Sequence, residues 1–233
     1  GNITFNVASV DGTDPAQTPL QAMTIDSSGS VGIGTDSPSA YNAAGNSLVI
    51  ANDAAGMTLA SSPTGSGHIL FADSTSGTGA YAGFIRYDHT TNSMRFAAGS
   101  GTERMRIDSS GNLLVGKTDV ATSVAGHAFM FNGSQRSTVA GDTVAILNRE
   151  TSDGIIQQFR KDNSVVGNIG VTNGNNLTVG GAVAGHAGLQ FGGNVSPMLA
   201  GVESDGGVAL GASNLRWKDL HLSGQAYASY FRP

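Results

Sequence analysis

The chain has 233 residues and a formal net charge of −5, from 12 basic and 17 acidic side chains; 34 residues are Gly and none is Cys. The missing thiols exclude disulfides and a thiolate metal site, the acidic balance excludes the basic footprint that nucleic acid requires, and no apolar run reaches the ~18 residues of a membrane span. Charged residues are only 12%, yet Val and Ile recur in alternating runs, so the composition is that of ordered β-structure with many tight turns, not of a disordered tail.

In chain order, Ile3-Thr4-Phe5-Asn6-Val7 alternates as a strand and is followed by a turn-rich loop at 11–15. A hairpin at 23–34 comes next, then a strand at 48–50. Strands are expected at 57–60 and 68–72, separated by a Ser/Gly/Pro loop. Residues 83–87 pair with 93–97 across Asp88-His89-Thr90-Thr91-Asn92, and a second hairpin at 105–116 follows. A meander is predicted from strands at 143–149, 155–160 and 165–171, with turns at Ser152-Asp153-Gly154 and Asp162-Asn163, continued by 178–179 and 187–191. No capped run of helical period exceeds about two turns.

Two stretches say almost the same thing. Met23-Thr24-Ile25-Asp26-Ser27-Ser28-Gly29-Ser30-Val31-Gly32-Ile33-Gly34 matches Met105-Arg106-Ile107-Asp108-Ser109-Ser110-Gly111-Asn112-Leu113-Leu114-Val115-Gly116 position by position. A looser third copy spans 204–211, and Ala-Gly-His-Ala recurs at 125–128 and 184–187. In each of the first two copies an Asp-Ser-Ser-Gly turn joins two alternating strands. A repeat of this kind means modules laid end to end: a first module over 1–102, a second over 103–200 and a third, truncated one over 201–233. The strands carry only thin apolar stripes. One chain alone would struggle against backbone entropy of about 1–2 kcal/mol per residue, so association with further copies is expected.

The run Glu103-Arg104-Met105-Arg106-Ile107-Asp108-Ser109-Ser110-Gly111-Asn112, the hairpin at 83–97, the stretch Phe159-Arg160-Lys161-Asp162-Asn163-Ser164-Val165-Val166-Gly167-Asn168-Ile169 and the segment around Trp217 resemble the distal shaft repeats of tailed-bacteriophage tail fibres. That resemblance covers about two-thirds of the chain. It implies an all-β, elongated, parallel homotrimer of hairpin and meander modules, intertwined into β-prism or triple-β-helix-like segments with little or no helix. It also implies a virion location outside the cell and attachment to a host surface glycan or outer-membrane protein. The partners it implies are two further copies of the chain and other tail or baseplate proteins, with no cofactor and no membrane insertion. Many members of that family end in a self-cleaving endosialidase-type chaperone, whose usual opening, Ser-Asp-x-Arg-x-Lys, has no counterpart here. Two other readings remain open: a glycan-degrading tailspike and a bacterial trimeric surface adhesin.

The candidate chemistry is sparse. Gly111-Asn112-Leu113-Leu114-Val115-Gly116-Lys117-Thr118 fits the phosphate-loop pattern. Its interior is strand-like and no helix is predicted after it, so a phosphate cradle is not expected. His127 and His186, in the recurring Ala-Gly-His-Ala, are the candidates for a metal on a trimer axis; the plainer reading is a polar residue at a strand edge. Glu occurs only at 103, 150 and 203 and most Asp sit in turns, so no catalytic residue is assigned. Among the aromatics, Trp217 is read as core between chains, and Tyr227 and Tyr230 as the residues that touch a receptor.

Overall fold

A computed structural model describes residues 1–7, 20–181, 183–212, 214, 217 and 222–224. Strands β1 (Ile3–Val7), β2 (Leu20–Ile25), β3 (Val31–Ile33) and β4 (Leu48–Ile50) form a four-stranded sheet in that order. A seven-stranded sheet runs β5 (Ser66–Phe71), β6 (Gly83–Asp88), β7 (Ser93–Ala98), β8 (Glu103–Ile107), β9 (Leu113–Val115), β10 (Gly126–Phe129) and β11 (Gln135–Thr138). A six-stranded sheet runs β12 (Gly154–Lys161), β13 (Ser164–Thr172), β14 (Asn176–Gly180), β15 (Ala187–Phe191), β16 (Val195–Leu199) and β17 (Val202–Glu203). Each strand pairs with its neighbour in sequence. All the pairings are antiparallel except β3 with β4. The protein is all-β, and its only helical segments among the described residues are 3-10 turns at Pro38–Ala40 and Gly77–Tyr81.

The chain divides into two compact units, Gly1–Ala140 and Gly141–Pro233. The expected boundary at 102/103 falls between β7 and β8, which are hydrogen-bonded neighbours in one sheet. The third repeat copy, at 204–211, contains no strand.

The two full repeats owe their shape to one turn. In the second copy Asp108 Oδ1 accepts from the backbone N–H of Ser110 and of Asn112, both at 2.9 Å. In the first, Asp26 Oδ1 accepts from Ser28 N–H at 2.9 Å and Ser30 N–H at 3.0 Å. Gly111 and Gly29 hold φ at 81° and 85°, the left-handed region that a side chain disfavours. The carboxylate thus satisfies the two amides that the tight reversal leaves without strand partners.

These turns couple folding to pH. For Asp26 the hydroxyl of Ser28 is foremost in holding the carboxyl below its ordinary value. For Asp108 burial opposes ionisation, but the Asn112 amide and the backbone N–H groups of Asn112 and Ser110 outweigh it and lower the pKa. The unfolded chain therefore binds more protons than the folded one just below the ordinary value of 3.8. The stabilisation is complete above that value and is lost as pH falls through the folded values. Denaturant midpoints measured from neutral pH down to about pH 2 are expected to fall on the acid side, with a shallower fall for Asp108→Asn.

After the turn the copies diverge. β4 returns parallel to β3, with Gly32 opposite Val49, whereas β10 returns antiparallel to β9, with Leu114 opposite Ala128. The first connection, 34–47, includes the 3-10 turn at Pro38 and is long enough for a parallel crossover. The second, 116–125, is shorter. In both, the connection folds over one face of its sheet. Pro38 is fully buried beside Gly32. Residues 118–122 are tied down by Arg106, Arg136 and Thr138, which donate to the carbonyls of Thr118, Val120 and Thr122.

Candidate functional site

Each sheet has one apolar face. In the four-stranded sheet it carries Phe5, Met23, Ile25, Val31, Ile33 and Leu48. In the seven-stranded sheet one register row reads Ile69, Ile85, Phe96, Met105, Val115, His127, Ser137, with Tyr87, Met94, Ile107, Leu113 and Phe129 beside it. In the six-stranded sheet the row is Ile169, Val179, Leu189, Pro197, flanked by Leu177, Phe191 and Val195.

None of these apolar-face residues is buried. The buried strand residues lie on the opposite faces: Thr24 and Val49 in the first sheet, Ser93, Leu114 and Ala128 in the second, Thr178, Gln190 and Met198 in the third. The arrangement inverts the usual one, in which the apolar face packs and the polar face is wet. The cause is local. In the first two sheets the connections fold over the face that carries Thr24, Val49, Ser93, Leu114 and Ala128, whereas over the apolar row of the seven-stranded sheet Leu59 reaches one end, at Gly67. The chain exposes 17030 Å², whereas two separate compact units of these sizes would expose roughly 12,000 Å².

The phosphate-loop resemblance does not build a phosphate site. Leu113, Leu114 and Val115 form β9, and residues 117–125 contain no helix. Lys117 is 6% exposed and turns away from any loop mouth. Its Nζ donates to the carbonyls of Ala121 at 2.6 Å and Val124 at 3.0 Å, so it ties the 117–125 connection to the sheet. Replacing Lys117 with Met leaves two carbonyls without their donor, an expected cost of about 1–3 kcal/mol. Magnesium-ATP is expected to leave the melting temperature of the unmodified protein unchanged.

His127 lies in the apolar row, with its Nδ1 3.0 Å from Ser137 Oγ. His186 lies in the loop between β14 and β15, its side chain against Gly181. Among the described residues no three His, Cys, Asp or Glu side chains approach closely enough to hold a metal ion.

Among the described residues, several carboxylates are occupied structurally. Arg86, Arg95 and Arg106 stand directly opposite one another across β6, β7 and β8, a row of like charges that adjacent strands tolerate poorly. Asp88 and Glu103 separate them. Asp88 lies 3.2 Å from Arg95 and 3.7 Å from Arg86, and Glu103 takes a two-pronged bond from Arg106. Arg86 also covers the ring of Phe84, 5.4 Å from its centre. Glu203 accepts from Gln190 at 2.7 Å and Asp153 from Gly174 N–H at 3.0 Å. Glu150 is exposed.

A shallow hollow of about 430 Å³ lies on the polar face of the six-stranded sheet, floored by Gly170, Gly180 and Gly188 and edged by Asp153, Thr178 and Met198. It holds neither an aromatic platform nor paired acids. Trp217 is 69% exposed. Tyr227 and Tyr230, the expected receptor contacts, lie outside the described residues. Compared with protein-family models, curated proteins and solved structures, the chain matches none.

Proposed function

We propose that this chain is a structural and adhesive segment of a homotrimeric fibre, of the kind that tailed bacteriophages use to attach to a host surface. Three copies share one interior made from the apolar sheet faces, and the polar faces with their tied-down connections form the outside. Its role is mechanical: a stiff β rod that carries and presents a binding surface for a cell-surface glycan or outer-membrane protein. The observation that supports this reading is the inverted burial, in which the broad apolar row of each sheet is unburied while the few buried strand residues, Thr24, Leu114, Thr178 and Met198 among them, lie on the opposite face. An enzyme reading has less to stand on, since Asp26, Asp88, Glu103 and Asp108 serve turns and ion pairs.

The native mass of the purified protein in detergent, before and after brief heating, tests the reading. A three-chain species that survives detergent and collapses to one chain on heating is expected. A folded, detergent-stable single chain of 23.5 kDa overturns it.

A further inference from the structure

Residues 143–148, Thr-Val-Ala-Ile-Leu-Asn, alternate and are rich in strand-forming side chains. The pattern predicts a hairpin with the strand that follows, yet no such hairpin forms. Residues 143–149 belong to no strand and make no backbone–backbone hydrogen bond among the described residues. Every residue from 141 to 153 is exposed, and Ile146 is 82% exposed.

The strand that follows lacks its expected partner. β12 is eight residues long and forms one edge of the six-stranded sheet, paired only with β13. Residues 157–161 are exposed along it. An open edge of this length beside an unpaired apolar strand is an aggregation hazard that proteins ordinarily cover.

The hairpin within one chain is blocked by the turn itself. The guanidinium of Arg149 donates to the Ser152 carbonyl at 2.8 Å, to Ser152 Oγ at 3.1 Å and to the Ile155 carbonyl at 3.3 Å. These bonds fix the 149–155 turn in a shape that does not lay residues 143–148 along β12 of the same chain. Thr151, with φ at 68°, adds a left-handed kink where a hairpin arm would begin. Donor strand and acceptor edge are thus both present, matched in length and chemistry, and kept apart within one copy.

We infer that the pairing is made between copies: residues 143–148 of one chain add as an antiparallel strand to the free edge of β12 in a second copy of this chain. The inference rests on the trimeric reading above and assigns one of its contacts. In a closed ring each copy donates one strand and accepts one, so no edge is left over. Val144 and Ile146 alternate onto one side and continue the apolar face that carries Phe159 and Ile169. The backbone ladder gives affinity and the alternate side chains give register, as in other strand additions.

The absence of cysteine makes the test clean. Two exposed single-cysteine variants, Ala145→Cys and Gln158→Cys, are refolded together and oxidised, and in parallel treated with a short bis-maleimide so that a slip of register does not hide the contact. The expected product is a covalent pair containing one chain of each variant, absent when either is refolded alone. The double variant is expected to give covalently linked multiples of the chain. A double variant that closes on itself at single-chain mass overturns the exchange in favour of a hairpin within one chain. A three-chain native mass with no cross-link overturns the exchange and leaves the trimer standing. A single-chain native mass overturns both.

Discussion

Replacing Ile85 and Phe96 together with aspartate is expected to abolish assembly. The two side chains face each other across β6 and β7 in the middle of the apolar row. In the proposed trimer each chain would bring two carboxylates into the shared interior with no cation opposite them, at a cost of several kcal/mol per charge. That exceeds what most oligomers hold in reserve, since folding stabilities are about 5–15 kcal/mol in total. Light scattering should show single chains, and the far-ultraviolet β signal should weaken, because a solitary copy has little buried apolar surface. The exposed turn substitution Ser109→Asp serves as the control and should leave both readings unchanged. A trimer that persists with aspartate at both positions would place the shared interior on another face.

Leu114→Ala is expected to destabilise the protein by about 2–5 kcal/mol, the range for truncating a fully buried leucine. Leu114 is 0% exposed, flanked in register by Arg106 and Ala128. Its chain neighbour Leu113 points to the opposite face and is only half-buried. In a solitary chain Leu113→Ala would cost much less than Leu114→Ala. In a trimer that closes over the apolar rows the two costs become comparable. The ratio of the two, read from chemical denaturation midpoints, therefore reports which faces are covered without any structure of the assembly.

The all-β character, the repeat and its turn were legible in the sequence because they depend on neighbours in the chain. Asp108, Gly111 and the alternation around them suffice to specify the hairpin, and β6 with β7 is equally local. Four strands escaped prediction, β10, β11, β16 and β17. β11 is short and polar, β17 is two residues long, and β16 contains Pro197, whose missing donor argues against a strand. Pro197 is accommodated because β17 pairs only with Met198 and Leu199, so Pro197 has a strand partner on one side alone.

The opposite failure is more instructive. Residues 57–60 and 143–149 have strand patterns and form no strand, because alternation specifies a face and does not supply a partner. The parallel return of β4 and the antiparallel return of β10 were also hidden, since strand direction follows from the length and packing of the connection. As for the site, Gly116-Lys117-Thr118 gave a misleading local match. The environment that decides it, two carbonyls from a loop four and seven residues on, is not a feature of the motif. The apolar residues were visible, but that most of them end on uncovered faces, with Leu114, Val49 and Met198 on the other side, became visible only once register was known.

The outward-facing apolar rows bear on synthesis. In the proposed trimer, a newly released subunit would be most vulnerable in the interval before it meets two further copies, since its apolar rows are then available to any other protein. On the proposed trimeric reading, renaturation yield should accordingly drop on dilution, opposite to the behaviour of self-contained domains.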